Sequence, residues 1–335
     1  MSEVTSEHKI LLFGAGSVGA VYLYQLQQAQ CSVTAVCRSN YDHVQRHGFT
    51  LRSLRYGNVQ FRPERVVRAV SECAGEKFDY ILVCSKSYPG QVPSVAESLR
   101  SVADRDPHTV IVLAQNGIMI EEEYAQAFPY HTILSGVVYL PATETSPGTI
   151  DYPEMLNLLE LGTYPSSAST TGRPAALLLA DLMIKGGGEA TVHDDVQPAR
   201  WAKLLMNAAW NPISALTLCT DGDFLQTSIP YAHELVWDVM LEIIALAVQV
   251  KVPGITEDVA KSKLAIAEGR AATGTGREMS MLHDVRRGRQ FEVEAVLGNT
   301  VRLAKQQGLK LPRLETLYAL SKARLESSLR QTSAR

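Results

Sequence analysis

The chain has 335 residues, 46% of them hydrophobic and 20% charged, with a formal net charge of −3. That balance is ordinary for a two-domain soluble globular protein, and it offers no basic surface for nucleic acid or an anionic membrane. No apolar run approaches the about 18 residues of a membrane span, and residues 1–8 carry no apolar signal region, so the expected location is cytoplasmic.

A short apolar run, Lys9–Phe13, ends in Gly14-Ala15-Gly16-Ser17-Val18-Gly19, and a helical pattern follows at once. In a dinucleotide-binding turn the first glycine permits the tight turn and the second lets the backbone approach a pyrophosphate. The third lets the helix pack closely on the strand. The phosphates then sit on free N–H groups at the positive end of a helix. Ser32–Cys37 reads as a second strand, rich in β-branched residues. An enzyme preferring NAD usually carries an acid at its end, about 20 residues past the glycines. Arg38-Ser39-Asn40 stands there instead. Arg38 can pair with a 2′-phosphate, which favours NADPH/NADP+ over NADH; a plain surface arginine is the alternative.

Asp79–Cys84, Thr109–Leu113 and Thr132–Tyr139 read as further buried strands, with helical patterns at Val92–Leu99 and Glu121–Phe128. This alternation predicts parallel strands joined by crossover helices. Gly148–Tyr152 and Met155–Leu161 are predicted to form an edge hairpin, and Thr163–Gly172 reads as a loop. Beyond the crossing at Glu189–Gln197, strand patterns give way to helical ones, as in Ile229–Val250 and Arg289–Gln307. The expected fold is α/β: a Rossmann-type doubly wound sheet over residues 1–192, then an all-helical domain over 193–335, with the active site in the cleft between them. Five cysteines without C-x-x-C spacing read as reduced thiols, and the eight histidines show no zinc-site spacing, so no metal is expected.

Ser85-Lys86-Ser87 and Gln115-Asn116-Gly117 follow predicted strands at their carboxyl ends, where open parallel sheets bind ligands. Taken alone, Lys86 reads equally as a solvated lysine and Asn116-Gly117 as a turn. In Trp201–Pro212, Lys203, Asn207 and Asn211 are spaced i, i+4, i+8. On a helix they form one polar stripe, drifting by about 40° per step. Such a stripe is costly to bury without partners, and a buried lysine suits proton transfer. Pro212 is predicted to break or kink the helix. Ser280 falls near a helix start, as an anion contact or a plain cap, and Glu292 reads as a functional or a solvated charge.

With these residues in hand, the chain resembles the ketopantoate reductase (2-dehydropantoate 2-reductase) family. The resemblance rests on Gly14–Gly19, the Lys86 segment, Gln115-Asn116-Gly117, Lys203-x-x-x-Asn207-x-x-x-Asn211-Pro212, and Ser280-Met281-Leu282-x-Asp284 leading to Glu292. It implies a 6-phosphogluconate-dehydrogenase-like helical domain and NADPH-dependent reduction of ketopantoate to pantoate in pantothenate biosynthesis. Carried over, Lys203 is the general acid, and Asn207, Asn211 and Ser280 contact the substrate. Glu292 reaches both the cofactor and the lysine, and Asn116 touches cofactor and substrate. Arg38, Lys86 and the backbone at Ala142 contact the cofactor. Asp221-Gly222 departs from the Asn-Gly that is frequent in the family, and an acid facing an anionic substrate would repel it. The alternatives are a reductase of another branched 2-oxo acid and a non-catalytic NADP(H) sensor. A homodimer is left open.

Overall fold

The computed structural model describes residues 8–333, so most of the segment read for a signal sequence, residues 1–7, lies outside the described residues. The chain divides into two compact units. The first comprises residues up to Lys86, Gly90–Gln115 and Glu121–Val196; the second comprises Ser87–Pro89, Asn116–Ile120 and Gln197 onward.

The first unit is built from β1 (Lys9–Phe13), α1 (Ser17–Gln28), β2 (Ser32–Val36), α2 (Tyr41–His47), β3 (Phe49–Ser53), β4 (Gly57–Phe61), β5 (Arg65–Val67), β6 (Tyr80–Val83), α3 (Val95–Ala103), β7 (Val110–Ala114), α4 (Glu121–Ala127), β8 (Ile133–Tyr139), β9 (Thr143–Ser146), β10 (Thr149–Tyr152), β11 (Leu158–Tyr164), α5 (Ser169–Lys185) and β12 (Glu189–Val192). The main sheet runs β12-β11-β8-β7-β6-β1-β2-β5, and all its pairs are parallel except β11 with β8. The strand order reverses at β1, which lies between β2 and β6. That reversal is where doubly wound sheets open their ligand crevice. The central strands are apolar on both faces, since every residue of β6 and β7 is buried. That is the burial expected of a sheet covered on both sides.

Four local expectations are corrected. The predicted hairpin of Gly148–Tyr152 with Met155–Leu161 does not form. β10 pairs instead with β9 across Pro147-Gly148, and with β3, in a second sheet ordered β4-β3-β10-β9. β11 joins the main sheet, because its buried Leu159 and Leu161 belong to the large core. Thr163–Gly172 is not a loop: β11 extends to Tyr164, and Gly172 lies inside α5, where a side chain would run into Thr163. The crossing segment Glu189–Gln197 contains an edge strand, β12. The first helix after β6 starts at Val95 rather than at Val92. The Ser94 hydroxyl accepts from the Glu97 N–H at 3.1 Å while Glu97 accepts from the Ser94 N–H at 2.7 Å, a capping box that sets the start.

The second unit is helical: α6 (Gln197–Thr217), α7 (Asp221–Thr227), α8 (Tyr231–Gln249), α9 (Glu257–Ala272), α10 (Ser280–Arg286), a π-helix at Glu294–Gly298, α11 (Asn299–Gln306) and α12 (Pro312–Ser333). Its core is separate from that of the first unit. At the centre is α6, packed by α8, α9, α10 and α12. Pro212 does not break this helix. An interior proline costs about 3 kcal/mol. Burying Trp201, Leu204, Leu205, Trp210 and Ile213 in the core offsets that, at about 1.5–3 kcal/mol for each large side chain. The predicted helix over Arg289–Gln307 starts late: residues 289–292 are not helical, and the π-turn at Glu294–Gly298 runs into α11. Among the described residues no helix is long and apolar enough to cross a membrane.

Candidate active site

The glycine turn joins β1 to α1 as the spacing requires. Gly14 has a φ of +95°, and a side chain there would strike the backbone of Ser85, just past β6. A side chain on Gly19 would strike the Gly14 carbonyl. Around Gly16 a Cβ would meet nothing within 4 Å, so this side of the turn is open to a ligand. Gly16 is the N-cap of α1 and supplies no side-chain acceptor, and no acid lies in the first turn. A half-buried helix N-terminus with no acid in its first turn fits a bound pyrophosphate.

The turn is braced by Asn40 and by Glu144, to neither of which the sequence reading gave a role. Buried Asn40 donates to the Ala15 carbonyl at 2.8 Å and to Glu144 at 3.1 Å. Ser17 Oγ accepts from the Glu144 N–H at 3.0 Å. With Asn40 turned inward, Arg38 and Ser39 are the exposed residues at the end of β2. The Arg38 guanidinium lies 6.0 Å from the centre of the Phe13 ring. Lys86, half-buried, ends the segment after β6. Ala142 is half-buried, with its N–H donated to the Leu140 carbonyl at 2.9 Å. Burial, with Glu144 nearby, pushes the Cys37 thiol up to about 12, and burial raises Cys84 as well, so neither is a ready nucleophile.

The second unit gathers the other predicted residues. Lys203 Nζ donates to Asn116 Oδ1 at 2.9 Å, and Asn116 Nδ2 donates to Glu292 Oε2 at 3.2 Å. The other oxygen of Glu292 accepts from the Ser87 N–H at 3.0 Å. Glu292 is buried just before the π-helix and is not a solvated helix charge. Further along the stripe, Asn207 Oδ1 accepts from Asn211 Nδ2 at 3.3 Å. Asn211 Oδ1 in turn accepts from Ser280 Oγ at 2.9 Å and from the Met281 N–H at 3.1 Å. Asn211 therefore ties α6 to the first turn of α10. Asn207 is half-buried and Ser280 exposed. The helical stripe is thus a partnered array, with a cationic group at one end and amide and hydroxyl groups at the other. Such an array can hold an anionic, carbonyl-bearing molecule and give it a proton.

The family described as ketopantoate reductase PanE/ApbA matches residues 10–165, and its C-terminal part matches residues 195–325. The chain belongs to the ketopantoate reductase family. As such it is an oxidoreductase of the CH–OH/C=O class that uses a nicotinamide cofactor. It is 29% identical over 319 residues to a 2-dehydropantoate 2-reductase of Pyrobaculum aerophilum, covering 93% of this chain and 96% of that one. An uncharacterized protein of Saccharomyces cerevisiae is 30% identical over 334 residues, covering 93% and 92%. The crystal structure of 2-dehydropantoate 2-reductase from Methylococcus capsulatus superposes with a TM-score of 0.82 at 33% identity, covering 96% and 97%.

In this reductase the Asp221 departure has a local explanation. Asp221 is wholly buried at the start of α7. Its carboxylate pairs with Arg270 and accepts from the N–H groups of Gly222 at 2.8 Å and Arg277 at 2.6 Å. The negative charge is held by protein donors, so the repulsion expected from the sequence is answered inside the fold.

Proposed function

We propose that this reductase converts ketopantoate to pantoate with NADPH. The observation that carries the reading is the Lys203–Asn116–Glu292 array, which offers a cation beside an amide and a buried carboxylate. Asn207 and Ser280 hydrogen-bond the substrate, Ser280 at the carboxylate, while Asn211 holds both. The reduced nicotinamide, when bound on the glycine turn, supplies the hydride. Lys203 gives its proton to the carbonyl oxygen, and its positive charge stabilises the negative charge that develops there. Asn116 accepts from the lysine and holds it in place, and Glu292 in turn holds Asn116. Arg38, with no acid in the Arg38-Ser39-Asn40 stretch, supports the choice of the 2′-phosphorylated cofactor.

The neutralised Asp221 is compatible with an anionic substrate, so a different 2-oxo acid is not needed to explain it. The test is a panel of 2-oxo acids with NADPH and NADH, followed by loss of reduced-cofactor absorbance. Ketopantoate with NADPH is expected to give the highest kcat/KM. A clear preference for another acid would overturn the substrate assignment. Turnover of none of them would overturn the enzymatic reading.

A further inference from the structure

In the Asn116–Ile120 segment, the backbone of Gly117 and of Ile118 is held by hydrogen bonds from the helical unit. Arg200, 3% exposed and one turn before Lys203 on α6, donates from Nη1 to the Gly117 carbonyl at 2.9 Å. Asn299, at the start of α11, donates from Nδ2 to the Ile118 carbonyl at 2.7 Å. The Ala295 carbonyl, inside the π-helix, accepts from the Ile118 N–H at 3.4 Å. Gly117 has a φ of +97°, and a side chain on it would strike that same carbonyl. The Ile118 side chain lies in the helical core. A short π-turn often marks a functional site.

We propose that Arg200 and Asn299 are positioning residues: they fix the Gly117-Ile118 backbone so that Asn116 turns Oδ1 to Lys203 and Nδ2 to Glu292. An amide has both a donor and an acceptor end, and only one orientation serves a cation and a carboxylate together. The Gly117 and Ile118 carbonyls are buried acceptors that need partners, and Arg200 and Asn299 supply charged and neutral donors for them. This inference rests on the reading of Lys203, Asn116 and Glu292 as the reaction's proton site.

The test uses Arg200→Met, Arg200→Lys, Asn299→Ala and Asn116→Ala in the full chain, singly and with each of the first three combined with Asn116→Ala. Arg200→Met and Asn299→Ala are each expected to lower kcat by about 10–100-fold, as displacement of a positioned group does. KM for NADPH should change little, and Arg200→Lys should recover part of the loss. Combined with Asn116→Ala, neither substitution should add to the loss, since all act through one side chain. The Asn116 side-chain NH2 resonance should shift in both single variants, and exchange of the Ile118 amide should quicken. The resonance measurement needs no turnover, so it reads the positioning even if the substrate reading fails. Losses that multiply in the double variants, or an unchanged Asn116 resonance, would overturn the proposal. If Arg200→Met does not fold, the Asn299→Ala pair decides in the same way.

Discussion

Lys203 and Asn116, 87 residues apart in sequence, meet at 2.9 Å, with the ammonium donating to the amide oxygen. Asn116 passes the contact on to the buried Glu292. A lysine held this way keeps a proton at a fixed point, which general acid catalysis requires.

Replacing Lys203 should therefore damage the chemical step. Lys203→Ala is expected to lower kcat with ketopantoate by about 10²–10⁴-fold, the usual worth of a positioned acid. NADPH affinity should stay within a few-fold, because the glycine turn is unaltered. Lys203→Arg should recover little, since a guanidinium does not release its proton near neutral pH. Steady-state rates, cofactor titration and a thermal melt on each variant check this. A folded Lys203→Ala protein with near wild-type kcat would assign the proton to another group.

The glycine turn separates fold from ligand binding. Gly16 has a φ of −87° and open space around it, so Gly16→Ala should melt like the wild type. It should nonetheless weaken NADPH binding about tenfold or more, as the lost contacts to a charged phosphate are worth about 1.5–3 kcal/mol. Gly19→Ala, pressed on the Gly14 carbonyl, should instead destabilise the protein by about 1–3 kcal/mol. Differential scanning calorimetry and cofactor titration distinguish the two. Unchanged affinity in Gly16→Ala would remove the pyrophosphate from this turn.

Arg38 tests cofactor choice. Arg38→Ala should weaken NADPH by about 1.5–3 kcal/mol, the range for a hydrogen-bonded charged group, and leave NADH nearly unaltered. Dissociation constants for both cofactors give the answer. Equal losses would mean that Arg38 does not read the 2′-phosphate.

Glu294 gives a pH dependence. Burial pushes its carboxyl up, but hydrogen bonds from Arg302, Lys322 and Tyr318 outweigh this and hold it below the ordinary value of 4.5. A carboxyl lowered in the folded state binds fewer protons there than in the unfolded chain. Its contribution to stability is therefore complete above the unfolded value and is lost as pH falls through the folded one. Glu294→Gln should lower stability at neutral pH and flatten the acid limb of the melting-temperature profile. An acid limb unaltered in slope would place the dependence on other groups.

The glycine turn was legible because its spacing is local: Gly14, Gly16 and Gly19 fall close together along the chain, and the flanking strand and helix follow from neighbouring residues. The change from alternating strands to helices near residue 195 was legible for the same reason, since periodicity is a property of short windows. The stripe of Lys203, Asn207 and Asn211 also showed in the spacing, but not its partners. Only the tertiary structure joined Asn116, Ser87, Glu292 and Arg200, because their hydrogen bonds close loops of tens to hundreds of residues and leave no periodic mark. It also decided what composition misread. Pro212 stays inside α6 because the core around that helix outweighs one missing backbone bond. Gly172 is not a loop signal but a packing one: it lies inside α5, where Thr163 fills the space of a side chain. Asp221, an acid out of place when read along the chain, becomes a neutralised anchor because Arg270, 49 residues later, folds onto it.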